Sequence, residues 1–128
     1  MGRLDDRVAI VTGGGRGIGQ ATSLRLAADG ASVVVNDIDD APANETVALI
    51  EAAGGKAIAC VANTVEMAQA ERLVQAAVDA YGKIDIIVNN AGVTRDKMFH
   101  GLDDAQFDFV FDANLKTGFH TTLAAMPY

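Results

Sequence analysis

The residues near the start of the chain that could bind a ligand are a cluster of glycines. Five of them fall within seven positions: Gly13, Gly14, Gly15, Gly17 and Gly19. Without Cβ atoms the backbone can turn sharply there, and a helix beginning near Gly17 would point its unpaired N–H groups and its positive dipole end at the turn. An anion such as a phosphate is the natural ligand of this arrangement.

A carboxylate, Asp37, supplies the second part of the pattern. It follows the apolar run from Val33 to Val35 and lies 18 residues after Gly19. Dinucleotide sites place a carboxylate at about this distance, where it accepts hydrogen bonds from the two hydroxyl groups of a ribose. The first 37 residues therefore predict half of a dinucleotide site.

The spacing of the glycines distinguishes two kinds of nucleotide-binding turn. The general fingerprint G-x-G-x-x-G fits in no register of this cluster. Instead, the chain carries Thr12-Gly13-x-x-x-Gly17-x-Gly19 after an apolar run, a form that resembles the turn of the short-chain dehydrogenase/reductase family. Taken alone, the cluster is explained equally well as an ordinary tight turn between a strand and a helix.

Two later motifs strengthen the resemblance, and they occur in the family's order. Asn89-Asn90-Ala91-Gly92 is similar to the family's Asn-Asn-Ala-Gly segment, and Asn114 is similar to its catalytic asparagine on a helix. Without the family match, Asn114 would be interpreted as a buried amide that satisfies backbone groups. The similarity covers the chain from Arg7 to Met126.

The resemblance implies that Asn114 is a catalytic residue and that a larger set contacts the cofactor: Thr12, Gly13, Arg16, Gly17, Ile18, Gly19, Asp37, Asn63, Thr64, Asn90, Ala91 and Gly92. Arg16 is open to two interpretations, a solvated side chain or a phosphate contact. Asn63 stands where many relatives use an Asp to meet the adenine amino group, and its carbonyl oxygen can accept the same bond without a charge. Thr94-Arg95-Asp96 is similar to 3-oxoacyl carrier-protein reductases and 3-hydroxyacyl-coenzyme A dehydrogenases of the family.

Apolar runs and helical periodicity alternate along the chain. Strands are predicted at Val8 to Val11, Val33 to Asp37, Lys56 to Val61 and Ile84 to Val88. Helices are predicted from Gly17 to about Asp29, from Asp39 or Asp40 to Gly54, along the stripe from Ala70 to Tyr81, and from about Asp103 onwards. The last of these carries its own stripe of Phe107, Val110, Phe111, Asn114, Leu115 and Phe119. This alternation predicts an α/β fold, a Rossmann-like three-layer doubly wound parallel sheet with strand order 3-2-1-4.

The composition indicates a single domain, residues 1–128, whose 50% hydrophobic content is enough for a core. The net charge of −7 argues against nucleic acid or an anionic membrane as a partner, since phosphate contacts need clustered Lys and Arg. No apolar run is long enough to span a membrane and no secretory segment precedes the first strand, so a cytoplasmic protein is expected. Cys60 is interpreted as a structural thiol, and His100 and His120 lack partners at metal-ligand spacing, so no metal site is expected.

The resemblance implies an oxidoreductase that interconverts a secondary alcohol and a ketone, with a 3-oxoacyl thioester as one candidate substrate. NAD is expected as the cofactor, with NADP less favoured because of Asp37. The chain ends at Tyr128, before the family's catalytic Ser and Tyr-x-x-x-Lys segment, so we expect a domain truncated after the fourth strand and its helices, and inactive alone. Self-association or pairing with the missing C-terminal half is then expected. The alternative is a nucleotide-binding module without catalysis.

Overall fold

Four parallel strands form one sheet in the computed structural model, which describes residues 2–92, 101 and 103–128. In chain order the elements are β1 (Val8–Val11), α1 (Gly17–Ala28), β2 (Ser32–Asp37), α2 (Asp40–Ala52), β3 (Lys56–Val61), α3 (Met67–Tyr81), β4 (Ile86–Val88), α4 (Asp104–Phe111) and α5 (Thr117–Ala125). A π-helical turn, Asp112–Lys116, joins α4 to α5. The strand order is β3-β2-β1-β4 and every pair is parallel, which confirms the predicted fold class.

Alternate residues of the central strands face opposite layers of helices. Ile10 and Val34 belong to a core that includes α3 and the end of α5. Val11, Val33 and Val35 belong to a second core, formed with α1 and α2. Strands that are covered on both faces need apolar side chains at every position, which explains the continuous apolar runs in the sequence.

Glycines follow α1 and α3, close to the helix ends predicted at about Asp29 and at Tyr81. Gly30 follows α1 with φ +106°, and its N–H donates to the Ala27 carbonyl at 3.0 Å. Gly82 follows α3 with φ +81° and donates to the Val78 carbonyl at 2.8 Å. These left-handed conformations favour glycine and close the last helical turn before the chain enters the next strand.

The fourth strand is shorter than predicted, because it begins at Ile86 and not at Ile84. The cause is Asp85, whose carboxylate accepts a hydrogen bond from Val8 N at 2.9 Å, while its own N–H donates to the Val8 carbonyl at 2.9 Å. A side chain thus replaces the backbone ladder at the point where β1 and β4 begin.

The C-terminal helical region packs by a face that the sequence pattern does not predict. Its buried residues are small, and they are Thr117, Thr121 and Ala125. The predicted apolar stripe points away from the described core: Phe107, Phe111, Leu115 and Phe119 are between 46% and 61% exposed. Thr94-Arg95-Asp96 and His100 lie outside the described residues. In the described part of the chain, no helix has both the length and the hydropathy needed to cross a membrane.

Asp85 also makes the sheet sensitive to acid. The hydrogen bond from Val8 and the neighbouring Lys83, whose Nζ lies 3.0 Å from Oδ2, hold the pKa of the Asp85 carboxyl below its ordinary value. Because the pKa is lower in the folded than in the unfolded chain, the stabilisation is complete above the unfolded value of about 3.9 and is lost as the pH falls through the folded value.

We therefore expect Asp85→Asn to lower the thermal midpoint at about pH 7, and we expect this deficit to shrink as the pH falls below about 3.9 and the wild-type carboxyl becomes protonated. Asp79→Asn is the control, since the Asp79 carboxylate accepts from Gln75 on the same helix and does not join two strands. Thermal unfolding followed by circular dichroism across this pH range measures both. A constant deficit of the Asp85 variant at every pH would contradict the assignment.

Candidate functional site

The end of β1 is tied to the segment after β4 by one buried hydroxyl group. Thr12 is 1% exposed, and its Oγ1 donates to the Val88 carbonyl at 3.3 Å. The same oxygen accepts hydrogen bonds from Asn90 N at 3.0 Å and from Ala91 N at 3.1 Å. Thr12 therefore links the glycine turn to the Asn89-Asn90-Ala91-Gly92 segment. It does not line the cleft between these two motifs.

The Asn90 side chain adds a second link between the motifs. Its Nδ2 donates to the Gly13 carbonyl at 3.1 Å. A Cβ on Gly19 would overlap that carbonyl oxygen and would lie 2.5 Å from Asn90 Nδ2. Gly13 itself has φ +61°. Glycine is thus required at both positions, one for conformation and one for space.

Helix α1 begins at the centre of the glycine turn. Gly17 has φ +49°, and no described atom lies within 4 Å of the place where its Cβ would stand. Ile18 is 78% exposed at the first turn of the helix, where N–H groups lack an intrahelical partner. These residues lie outside the cleft lining, on the open side of the turn.

Asp37 is nearly buried at the end of β2, with 6% of its surface exposed. Its Oδ2 accepts from Gly15 N at 3.3 Å and its Oδ1 accepts from Asp39 N at 3.2 Å. A Cβ on Gly15 would lie 2.8 Å from Oδ2, so only glycine allows this close approach. Each carboxylate oxygen accepts more than one hydrogen bond, so both remain able to bind hydroxyl groups.

Arg16 extends over the same corner of the cleft. Its guanidinium forms an ion pair with Asp39, and its Nη2 lies 4.0 Å from Asp37 Oδ1. The Arg16 side chain is 59% exposed, so it is partly solvated while it pairs with Asp39. A phosphate contact of Arg16 stays a prediction.

Another part of the cleft is shaped by Asn36 within β2 and by Asn63 after β3. Asn36 is buried, and its Nδ2 donates to the carbonyls of Cys60 at 3.0 Å and Ala62 at 3.1 Å. Asn63 Oδ1 accepts from Val65 N at 3.1 Å, which leaves one lone pair of this oxygen for another donor. Thr64 is 3% exposed beside it.

These groups surround one cleft of about 350 Å³. Eight of the predicted residues line it, and they are Gly13, Arg16, Asp37, Asn63, Thr64, Asn90, Ala91 and Gly92. The prediction missed several other lining residues: Asn36, Ile38, Ala62, Val65, Phe109, Ala113 and Thr117. Adjacency to Asp37, Asn63 or Thr64 could have indicated four of these, whereas those from α4 onwards reach the cleft through tertiary packing.

Asn114 lies in the π-helical turn, at the border of the cleft. Its Nδ2 donates to the Val110 carbonyl at 2.8 Å, and its Oδ1 occupies the space that a Cβ on Gly92 would need. It lines a second, more open groove of about 490 Å³ together with Asn89, Leu115, Gly118, Phe119, Thr122, Leu123 and Met126. The structure thus places Asn114 beside the Asn-Asn-Ala-Gly segment and between the two depressions.

Cys60 does not line the cleft. Burial raises the pKa of its thiol, and the nearby Arg72 opposes this only in part. A thiol with a raised pKa is mostly protonated and therefore a poor nucleophile at neutral pH.

A parallel sheet with a glycine turn after β1 and a cleft at the carboxyl ends of its strands defines the doubly wound α/β class of nucleotide-binding proteins. The family model for short chain dehydrogenases matches residues 7–128, and the chain belongs to this family, as the motifs predict. Members of the family bind NAD(H) or NADP(H).

Two curated relatives illustrate the match. The chain is 45% identical over 122 residues to the peroxisomal hydratase-dehydrogenase-epimerase of Neurospora crassa, and the aligned segment covers 95% of this chain and 13% of that protein. It is 37% identical over 126 residues to the 3-oxoacyl acyl-carrier-protein reductase of Thermotoga maritima, which covers 98% of this chain and 51% of the reductase.

Solved structures show the same relation. A short chain dehydrogenase from Mycobacterium avium superposes with a TM-score of 0.97 at 43% identity, over 100% of this chain and 47% of that one. A 7α-hydroxysteroid dehydrogenase in complex with NADH and 7-oxo glycochenodeoxycholic acid gives a TM-score of 0.93 at 38% identity, over 98% and 49%. The chain thus spans about half of these proteins or less.

The contact between Gly19 and the Gly13 carbonyl yields a test of the turn. Gly19→Ala should push this carbonyl away from Asn90 and destabilise the fold by about 1–3 kcal/mol, the usual cost of overpacking. Gly118→Ala on α5 is the control, since its Cβ would make an ordinary contact of 3.5 Å with Asn89 and alanine favours a helix. Urea unfolding measures both changes. Equal stability of the two variants would show that the turn is not closed as described.

Proposed function

We propose that this chain is the NAD-binding portion of a short-chain oxidoreductase that interconverts a secondary alcohol and a ketone. The observation that carries the proposal is the Asp37 carboxylate, nearly buried at the end of β2 and lining the same cleft as Gly13 and Arg16 of the glycine turn. The adjacent 2′- and 3′-hydroxyl groups of a ribose lie on one face of the ring and can donate hydrogen bonds to the two carboxylate oxygens of Asp37. Each of these oxygens accepts one backbone N–H and can accept another donor.

The residues at and beside the cleft would meet successive parts of a nicotinamide dinucleotide. Asn63 and Thr64 would border the adenine, Asp37 the adenosine ribose, and the glycine turn with the N-terminus of α1 the pyrophosphate. Asn90, Ala91 and Gly92 would border the half that carries the nicotinamide, with Asn114 beside them. The bound cofactor supplies or accepts the hydride. The residues of this chain bind and orient it.

NAD is the favoured form because the corner around Asp37 is negatively charged. One guanidinium, that of Arg16, faces the two carboxylates of Asp37 and Asp39, so the local formal charge is −1. A 2′-phosphate carries about −1.5 to −2 charges at neutral pH and would be repelled. The Asp37 carboxylate would instead accept a hydrogen bond from the 2′-hydroxyl of NAD.

We expect calorimetric titration to show tighter binding of NAD than of NADP, and we expect Asp37→Ala to narrow that difference by weakening NAD and relieving the repulsion of NADP. Asp108→Ala on α4 is a suitable control for the loss of one negative charge outside the cleft lining. Equal or tighter binding of NADP by the wild-type chain would show that Asp37 does not select the cofactor.

Catalysis needs a proton donor beside the carbonyl oxygen in addition to a bound cofactor. The 128 residues contain no Tyr-x-x-x-Lys sequence, and Tyr128 is the last of them. We therefore expect no steady turnover by this chain alone, since positioning without the acid leaves the oxygen unprotonated. The absorbance of the reduced nicotinamide, followed with simple ketones and 3-oxoacyl thioesters, measures this.

Steady turnover by the pure chain would show that another group supplies the proton. Binding of NAD without turnover, even when a polypeptide carrying the second half of a family member is added, would instead favour a nucleotide-binding module without catalysis. The relatives named as 3-oxoacyl reductases support a 3-oxoacyl thioester as the substrate class. The cytoplasmic location stays a prediction, because some relatives are named as peroxisomal.

The apolar stripe on α4 and α5 supports a protein partner for this chain. Five large side chains along this region are between 46% and 61% exposed, and they are Phe107, Phe111, Leu115, Phe119 and Leu123. Beside them β4 forms one edge of the sheet, with Ile86, Ile87 and Val88 each partly accessible. Apolar patches and open strand edges of this kind recruit other chains. A second copy, or the second half of the family's fold, would cover both.

We expect light scattering on a dilution series to show self-association at tens of micromolar, an ordinary working concentration. Phe119→Asp should shift the equilibrium towards the monomer, because a charge in a buried apolar contact is costly. Leu49→Asp on α2, which is 44% exposed and away from the stripe, is the control. A monodisperse monomer in the wild type would show that the stripe needs no cover.

A further inference from the structure

Asp39 occupies the N-cap position of α2 but does not act as a cap. It has the extended backbone of an N-cap residue, with φ −111° and ψ 136°. Aspartate at this position usually accepts a hydrogen bond from the first turn of the helix. In the part of the chain that the structure describes, its side chain makes no such bond, and its Oδ2 contacts Arg16 Nη2 instead.

Arg16 is the natural ligand for a phosphate at this place. It lies inside the glycine turn and lines the cleft beside Asp37 and Ile38. A guanidinium presents a fork of N–H donors that matches phosphate oxygens, and an arginine near the adenosine ribose is the usual device for binding a 2′-phosphate. In this structure the Arg16 guanidinium already pairs with the Asp39 carboxylate, which accepts no capping hydrogen bond from the first turn of α2.

We propose that Asp39 is a positioning residue that sets the cofactor selectivity of the cleft by pairing with the Arg16 guanidinium, so that this guanidinium is not available to a 2′-phosphate. The inference rests on the proposed function, and it deepens it: Asp37 would repel the phosphate, but its Oδ1 lies 4.0 Å from Arg16 Nη2 and does not occupy the hydrogen-bond donors of that guanidinium. With Asp39 present, a 2′-phosphate would have to displace the Asp39 carboxylate from Arg16 and also approach the Asp37 carboxylate. NAD requires neither.

The ion pair matters for selectivity more than for folding. The side chains of Arg16 and Asp39 are 59% and 54% exposed, and exposed ion pairs contribute little to stability. The N-terminus of α2 would by itself attract an anion through its dipole. The carboxylates of Asp39 and Asp40 at this end oppose that attraction. The removal of Asp39 should therefore favour phosphate binding in two ways, by releasing Arg16 and by reducing the negative charge at the N-terminus of α2.

Titrations with NAD, NADP and adenosine 2′,5′-bisphosphate test the inference directly. Asp39→Ala should tighten NADP and the bisphosphate by about tenfold, the effect expected from one charged hydrogen bond, and should leave NAD within about twofold. The double variant Asp37→Ala with Asp39→Ala should gain more for NADP than either single variant. The bisphosphate is a useful probe because it reports the corner without the nicotinamide half.

Two controls separate the release of Arg16 from a simple loss of negative charge. Asp40→Ala removes a neighbouring carboxylate that accepts from Asn44 Nδ2 at 2.7 Å and does not pair with Arg16. In an Arg16→Gln background, Asp39→Ala should lose its effect on NADP. If Asp39→Ala acts no more strongly than Asp40→Ala, or acts equally without Arg16, the inference is wrong. If the wild-type chain binds neither dinucleotide, the proposed function itself fails.

Discussion

The hydroxyl group of Thr12 is the constraint on which the rest of the cleft depends. It is buried between β1 and the segment after β4, and two backbone N–H groups donate to it. Without it, the partly buried Ala91 N–H would lose this acceptor, and Asn90 N would keep only the Val88 carbonyl at 3.1 Å. The hydroxyl places Asn90, Asn90 holds the Gly13 carbonyl, and that carbonyl leaves room only for glycine at position 19. Two motifs 77 residues apart therefore form one unit.

Asparagine at position 36 is required by a similar argument at the other end of the cleft. Its amide donates to the carbonyls of Cys60 and Ala62, which lie at and just beyond the end of β3. An aspartate there would turn a charged acceptor towards two carbonyl oxygens, and a buried charge without a donor is costly. The amide thus fixes where the chain leaves β3, and with it the position of Asn63 and Thr64.

Local patterns predict most of this fold, because the forces that form its elements act over short separations. The face of α3 formed by Ala70, Leu73, Val74 and Ala77 follows directly from helical periodicity. The glycine turn after β1 indicates the strand order, since this crossover geometry is common to nucleotide-binding sheets. Eight predicted cofactor residues lie together in the cleft because the carboxyl ends of parallel strands meet at one edge.

The features that the sequence does not predict arise between side chains from different elements. Asp85 shortens β4 by taking the Val8 N–H, which a strand pattern cannot anticipate. The partner of Arg16 is similarly hidden, because Asp39 has the residue type and position of an ordinary N-cap. Only the three-dimensional structure shows that the Asp39 carboxylate contacts Arg16 and not the first turn of α2.

The π-helical turn explains how Asn114 and the apolar stripe can share one helical region. Phe107, Phe111, Leu115, Phe119 and Leu123 recur at strict four-residue steps, and all are exposed. In an α-helix each such step advances by about 40° around the axis, so the stripe would wind off one face. The π turn contains more residues per turn and rotates the following residues back. The stripe therefore stays on one side, while Thr117, Thr121 and Ala125 pack inwards and Asn114 stays beside Gly92.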